Sequence, residues 1–281
     1  MKKWVVILIS ILLIIISTLL YSRYISTSGL VTHEIKITVK NLENSYNGLK
    51  IIHFSDIHYG RTIKEDKLNK IVNEINNNKP DIVVFTGDLF DKDKTLSFDE
   101  KEELANILKN INTTLGKYII KGDNDIDNDW ENIIEKAGFT NLNDTYNLIY
   151  SKNNNPLIIS GISSNLNEEQ IYNKLTSFNE YMDNTIKKPL YSILLIHEPD
   201  YLDKIKLDNY NLILAGHSLG GQIRLPFIGP VIRYEGALKY YNSYYNLNGI
   251  DLYVSNGLGT VNHNFRFNNK PSINFYRIVN E

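Results

Sequence analysis

Five short stretches of the 281-residue chain carry side chains able to do chemistry: Asp56-Ile57-His58, Gly87-Asp88, Gly122-Asp123-Asn124-Asp125, His197 and Gly216-His217. The i, i+2 spacing of Asp56 and His58 sends both to the same side of an extended backbone. Carboxylates mixed with imidazoles suit Mn²⁺, Fe or Zn²⁺ better than Ca²⁺ or Mg²⁺ alone. Taken singly, an Asp after a strand is ordinarily a turn residue or a helix N-cap, and a lone His a satisfied polar side chain. Five such positions in series, three of them beside a Gly that clears backbone space, point jointly to a metal centre.

A second chemistry competes at GHSLGGQ, residues 216–222. Gly216-His217-Ser218-Leu219-Gly220 satisfies the G-x-S-x-G nucleophile elbow of a serine esterase, and Ser218, Asp251 and His263 follow in hydrolase order. An elbow must open a helix, however, and the glycines and two prolines of GGQIRLPFIGP forbid one. Ser218 is therefore expected to be a loop residue.

The elements that must position these groups are legible as patterns. HEIKITVKN alternates like an edge strand, and LKIIHF, DIVVF, KYII, LYSILLI and YNLILA are β-branched or apolar runs that each end in one of the polar clusters. Leu68, Ile71, Val72 and Ile75 form the i, i+3, i+4, i+7 stripe of an amphipathic helix stopped before Pro80. FDEKEELANILKNI and NEEQIYNKLTSF read as further helices, SKNNNP as a hairpin tip, and YNLILAGHSLGGQIRLP as a strand continuing past its glycines. Strand, helix, strand alternation argues for a layered α/β core, and in open α/β sheets ligands sit outside the carboxyl ends of the strands. The Tyr-rich stretch 234–253 reads as an aromatic hairpin packed on the core in preference to a lipid or sugar platform.

A net charge of -2 leaves no basic footprint for DNA or RNA, so no nucleic-acid partner is expected. The absence of Cys removes disulfides, thiolate catalysis, Cys-ligated zinc and iron–sulfur clusters. At the N-terminus, residues 4–21 form an apolar run of about 18 residues, close to the roughly 20 that cross a bilayer. Lys2 and Lys3 precede it, and Trp4, Tyr21 and Tyr24 sit at its edges. No A-x-A-like cleavage site follows, which favours a retained anchor over a cleaved signal peptide. The expected organisation is an anchor and linker over residues 1–29 and one domain over 30–281, held outside the cytoplasm at the cell membrane by a single pass.

The ordered motifs D-x-H, G-D, G-D-N, H and G-H, with GGQIRLP and LYVSNGLGT further on, resemble those of the calcineurin-like metallophosphoesterases, in their membrane-associated bacterial branch, over roughly residues 48–280. The resemblance implies an α/β fold with a two-layer β-sandwich core flanked by helices, carrying a dinuclear centre of Mn, Fe or Zn at one end. In it Asp56 and His58 would hold the first metal, Asp88 would bridge, and Asp123, His197 and His217 would hold the second. The implied activity is hydrolysis of phosphodiester or pyrophosphate bonds by a metal-activated hydroxide, with Asp88, Asn124 and His217 at the chemistry.

Two departures qualify this. Asn124 stands where the family has a His that stabilises the phosphoryl group and protonates the leaving oxygen, and Leu219 stands where G-H-x-H has a further ligand of the first metal. The first site should therefore be weaker, with His263 a candidate to complete it, and the favoured substrate should be one whose leaving group needs no proton. A nucleotide- or lipid-linked phosphate at the membrane surface fits both the chemistry and the anchor, with Asn124 and Arg61 as candidate substrate contacts. The same losses leave open a degenerate member that binds metal or phosphate without turnover.

Overall fold

The computed structural model describes residues 2–40, 42–126, 129–150, 155–164, 168–185 and 189–281. The chain runs through helix α1 (Lys2–Leu20), strands β1 (Val31–Val39) and β2 (Leu49–Phe54), helix α2 (Glu65–Asn77), strand β3 (Ile82–Phe85), helix α3 (Phe98–Lys109) and strand β4 (Gly116–Ile119). Next come helix α4 (Trp130–Lys136), strands β5 (Thr140–Asn141), β6 (Thr145–Ile149) and β7 (Leu157–Ile162), helix α5 (Glu168–Asn184) and strand β8 (Tyr191–Ile196). Strands β9 (Leu212–Ala215), β10 (Arg224–Leu225), β11 (Gly229–Pro230), β12 (Tyr244–Leu247), β13 (Ile250–Val254) and β14 (Ser272–Asn280) complete it.

Two six-stranded sheets, ordered β1-β14-β2-β3-β4-β5 and β12-β13-β9-β8-β7-β6, stack face to face. Strand periodicity separates the two sides of each. In the first sheet Ile51, Ile82, Val84 and Tyr118 turn inward against Ile159, Ile193, Leu195 and Leu214 of the second. Their neighbours Ile52, Phe54, Val83 and Phe85 turn outward beneath α2, α3 and α4. Ile158, Leu194 and Ile213 do the same on the far side, under α5 and the 3₁₀ turn Pro199–Lys204. The architecture is thus a two-layer β-sandwich flanked by helices, as the sequence led us to expect.

The central strands are parallel and buried on both faces, which is why they read as unbroken apolar runs. The stripe Leu68, Ile71, Val72 and Ile75 is the buried face of α2. Truncating Leu68, Ile71 or Ile75 to Ala should cost about 2–5 kcal/mol. Helix α3 starts at a capping box in which Ser97 and Glu100 satisfy each other's backbone N–H.

One expectation is corrected. The strand through residues 210–226 does not continue past its glycines: β9 stops at Ala215, a 3₁₀ turn occupies Leu219–Gly221, and β10 pairs with β11 in a separate two-stranded hairpin. Left-handed backbone at His217, Leu219, Gly220, Gly221 and Gln222 cannot sustain a strand. Residues 151–154 of the expected hairpin tip lie outside the described residues, although the flanking β6 and β7 pair antiparallel.

Helix α1 is apolar all round and its side chains, Trp4 and Ile14 among them, are exposed. The stretch Lys3–Ile25 is long and apolar enough to cross a membrane. Its carboxyl end turns back onto residues 264–267: the Arg266 N–H donates to the Ser22 carbonyl at 3.1 Å, Arg23 donates to the Asn264 carbonyl at 3.2 Å, and Tyr21 meets Phe267 edge to face.

Candidate metal centre

The carboxyl ends of β2, β3 and β4 in one sheet and of β8 and β9 in the other open onto the same place. Loops leaving them bring two groups of ligand atoms together, each within 4.8 Å: Asp56, His58 and Asp88, and Asp88, Asp123, His197 and His217. Asp88 belongs to both. All but Asp123 and His217, which are partly exposed, are buried.

The histidines are oriented from behind. His58 Nδ1 donates to the Phe90 carbonyl at 3.2 Å, His197 Nδ1 to the Thr86 carbonyl at 2.6 Å, and His217 Nε2 to the Glu235 carbonyl at 2.6 Å. A carbonyl oxygen only accepts, so each of these nitrogens carries the proton and the other is turned toward the carboxylates. His197 Nε2 lies 3.0 Å from Asp123 Oδ1 and 3.4 Å from Asp88 Oδ2. His217 Nδ1 lies 3.1 Å from Asp123 Oδ1 and 3.1 Å from His197 Nε2.

In the other group His58 Nε2 faces Asp88 Oδ2 at 3.6 Å and Asp56 Oδ1 at 3.9 Å. Asp56 Oδ2 is held by the Ser55 hydroxyl and the His217 backbone N–H, but Asp56 Oδ1 and His58 Nε2 are buried without any hydrogen-bond partner. Buried acceptors that face one another with no donor between them are costly, and a cation relieves that cost. The residues present therefore fit bound divalent metal.

Electrostatics point the same way. Burial pushes the Asp56 carboxyl up, whereas Asp123 is held well below the usual carboxylate range because hydrogen bonds and charge from His197 and His217 outweigh its burial. Burial alone would lower His197, yet Asp88 and Asp123 hold it well above its ordinary value. Protonated imidazoles thus supply, in the absence of metal, positive charge that this acidic cluster demands.

Residues outside the two groups fix their geometry. Asp125 is buried and accepts four backbone N–H groups, those of Asp88, Leu89, Phe90 and Gly122, at 2.8–3.2 Å, clamping the β3 loop to the β4 loop. A Cβ on Gly122 would stand 2.2 Å from Asp88 Oδ1, so only glycine fits there. Arg266, fully buried, donates to the carbonyls of Asn256, Gly257, Gly259 and Asn269. The Gly259 N–H in turn donates to the Asp56 carbonyl at 2.7 Å, so this cation braces the backbone of a candidate ligand residue. Asp56, His58, Asp88 and His217 all adopt left-handed backbone, with φ of 51°, 45°, 63° and 65°. Such strain, about 1–3 kcal/mol at each residue, concentrates at functional sites.

Residues 49–221, from β2 to the turn after His217, match the family described as calcineurin-like phosphoesterase. The chain belongs to that family. An uncharacterized metallophosphoesterase of Bacillus subtilis (strain 168), YkuE, is 29% identical over 262 residues, covering 92% of this chain and 88% of the relative. One from Aquifex aeolicus (strain VF5) is 32% identical over 188 residues, 66% of this chain and 67% of its own. The UDP-2,3-diacylglucosamine pyrophosphatase LpxG of Chlamydia muridarum (strain MoPn / Nigg) is 23% identical over 222 residues, 64% of this chain and 66% of its own. The chain is a metal-dependent hydrolase of phosphoric esters.

As a calcineurin-like phosphoesterase it departs from the expected motifs at two positions, and both are accounted for in space. Asn124 lies against Asp88, donating to its carboxylate from backbone and side chain. Leu219 is buried, and its Cδ2 and the Asp56 Cβ crowd the bare face of Gly257 from 2.6 and 2.9 Å of where a Cβ would stand. Leucine thus fills the wall beside Asp56 with hydrocarbon.

Of the chain's six histidines, three converge here. His53 is a core residue bonded to Thr86 and Tyr276, pushed down to about 3 by burial. His263 is exposed and stands outside both groups. Arg61 directs its guanidinium to Asp91, to Asp93 at 2.5 Å and to the Asn262 carbonyl at 3.1 Å. The Ser218 hydroxyl is buried, accepting from the Gly220 N–H and donating to the Ser255 carbonyl, while Asp251 bonds Tyr244 and Asn246. Among the described residues no Ser, His, Asp triad assembles, and Ser218 opens only the short 3₁₀ turn Leu219–Gly221, not an α-helix.

Sequence reasoning did not assign Asp125 or Arg266. The first had a signal, an aspartate three residues after the glycine that opens the loop. Arg266 had none, being a single basic residue in a polar, aromatic tail.

Proposed function

We propose that this phosphoesterase is a membrane-anchored enzyme whose dinuclear centre cleaves pyrophosphate or activated phosphodiester bonds of a nucleotide- or lipid-linked substrate. The observation that carries the reading is the pair of ligand groups joined at Asp88, with Asp56 Oδ1 and His58 Nε2 buried and unpartnered. Asp56, His58 and Asp88 would hold one ion, and Asp88, Asp123, His197 and His217 the other, Mn, Fe or Zn being the candidates by donor type. Two divalent ions bound there supply a Lewis-acid clamp for phosphoryl oxygens and acidify water enough to attack at neutral pH.

The chain's own residues do the rest. The carbonyls of Phe90, Thr86 and Glu235 keep each imidazole in the tautomer that can ligate. Asn124 orients Asp88 and offers an N–H donor at the mouth, but it cannot deliver a proton to a departing alkoxide. That favours substrates whose leaving group is already a good anion, such as a phosphate. The relative LpxG is, by its name, a pyrophosphatase of a diacylated nucleotide sugar, which supports a pyrophosphate linkage carried on a lipid. Residues 1–29 form the anchor in this reading, and Lys2 and Lys3 on its cytoplasmic flank would leave residues 30–281 on the extracytoplasmic side.

Calorimetric titration of the EDTA-stripped full chain in detergent with Mn²⁺ tests the dinuclear centre. Two ions per chain, one bound more weakly, support it, and a single ion contradicts it. Faster turnover of alkyl monoesters than of pyrophosphate-linked nucleotides would refute the substrate class.

A further inference from the structure

Among the described residues outside α1, the β10–β11 hairpin gathers a cluster of exposed apolar side chains. From Leu225 to Ile232 it carries no charged side chain, and Leu225, Phe227, Ile228 and Val231 are exposed, Phe227 completely and Ile228 at 74%. β10 and β11 pair through Arg224 with Pro230 and Leu225 with Gly229, leaving Pro226, Phe227 and Ile228 as a three-residue tip with Phe227 and Gly229 in left-handed backbone. A tight turn built to project Phe and Ile into water has no folding benefit.

Its position supplies the partner. The hairpin springs from Arg224, whose N–H donates to the Phe267 carbonyl at 2.9 Å, and Phe267 is the residue on which Tyr21, at the end of the apolar span, rests. Three residues of strand reach about 10 Å, so the tip stays close to where α1 leaves its apolar phase. Just past the apolar run, exposed Arg233 stacks at 4.0 Å on Tyr241, the cation and phenol found where protein meets lipid headgroups.

We propose that the β10–β11 hairpin is a second membrane contact, seating Phe227 and Ile228 in the lipid interface beside the anchor and turning the metal centre toward the bilayer. The chain leaving the hairpin forms the site's wall: Tyr234 lies 6.2 Å ring to ring from His217 with a buried, unpartnered phenol, and the next carbonyl, Glu235, orients His217. A phosphate carried by a bilayer lipid therefore reaches the metal centre from the membrane plane. This rests on the reading of α1 as bilayer-embedded and of the site as a phosphoesterase centre.

The chain has no Cys, so single labels are unambiguous. An environment-sensitive fluorophore is attached to Phe227→Cys, to Ile14→Cys in α1 and to Asp208→Cys, which precedes β9 at the opposite end of the parallel strands. Each full chain is reconstituted in phosphatidylcholine–phosphatidylglycerol vesicles containing a headgroup-proximal spin-labelled lipid. The expected result is at least two-fold stronger quenching at position 227 than at 208, with 14 also shielded from water. A position 227 no more quenched than 208, while 14 is shielded, overturns the hairpin contact. Water exposure at 14 overturns the anchor and the proposal with it. Self-quenching at 227 that rises with protein concentration in detergent identifies a second copy as the occupant and also overturns it. In a functional arm, Phe227→Asp combined with Ile228→Asp is expected to lower turnover of a vesicle-embedded phosphodiester about ten-fold and leave a soluble diester unchanged. Equal effects on both overturn presentation from the membrane, whereas absence of all hydrolysis in the unaltered chain counts against the phosphoesterase centre and leaves the quenching result standing.

Discussion

Asn124 grips Asp88 twice, its backbone N–H donating to Oδ1 at 2.9 Å and its amide Nδ2 to Oδ2 at 2.6 Å. The residue standing where the family has a protonating His is therefore a positioning group for the carboxylate common to both ligand clusters. Restoring the imidazole by Asn124→His should raise turnover of alkyl phosphomonoesters relative to a nitrophenyl diester by about 100-fold, the low end of general-acid effects. A leaving-group series for both proteins measures it, and parallel slopes would show that no proton donor was gained.

In the dinuclear reading, Leu219 beside Asp56 would make the first site the weaker one. Leu219→His places a nitrogen where hydrocarbon now packs, and Mn²⁺ affinity at the weaker site should rise by at least the roughly ten-fold that even an outer-shell partner contributes. The metal-free variant should melt lower, because a buried imidazole replaces a packed leucine. Calorimetry and melting with and without Mn²⁺ separate the two effects.

Asp125 tests the scaffold behind the ligands. In Asp125→Asn one oxygen becomes an NH₂ that confronts backbone N–H groups, so with metal present stability should fall by about 3 kcal/mol. For a chain of this size that lowers Tm by roughly 5–10 °C. Metal affinity should fall too, since the loop bearing Asp88 loses its clamp to Gly122.

Without metal, the pH dependence has a definite sign. His197 and His217 are raised above their ordinary 6.5 by Asp88 and Asp123 in opposition to burial, so their stabilisation is complete below pH 6.5 and is lost as pH rises through the folded values. Asp123, held below its ordinary 3.8, contributes above that pH and loses its contribution only as pH falls through its folded value. Burial and then the Asp88 charge push Asp125 up to about 7 from 3.8, and burial raises Asp56, so both carboxyls oppose folding as pH climbs past 3.8. The Tm of EDTA-treated protein should fall between about pH 5 and 8, while the increment from added Mn²⁺ grows as the ion displaces those protons. A metal increment independent of pH would contradict this protonation scheme.

Much of this was legible in sequence, for reasons that can be named. β2, β3, β4, β8 and β9 each lead into a candidate ligand because parallel strands deliver their carboxyl ends to one edge, and a run of apolar residues stopping at Asp or His records that directly. The stripe of α2 was readable because an amphipathic face repeats every turn. Pairing of β1 with β14 across more than two hundred residues has no local signature, and neither does left-handed backbone at Asp56, His58 or His217, which tertiary bonds impose. Helix α4, a single short element around Trp130, was too brief to show a period. Strand-like residues after His217 misled because β10 is a strand, but a two-residue one paired only in a hairpin of its own.

The most direct test of the central claim is hydrolysis of bis(p-nitrophenyl) phosphate by the full chain in detergent, assayed after EDTA treatment and after Mn²⁺ addition, with Asp88→Ala and Ser218→Ala in parallel. A metal centre joined at Asp88 requires activity that returns with Mn²⁺, vanishes in Asp88→Ala and persists in Ser218→Ala. Activity that ignores EDTA and disappears with Ser218→Ala would contradict it and return the chemistry to the serine.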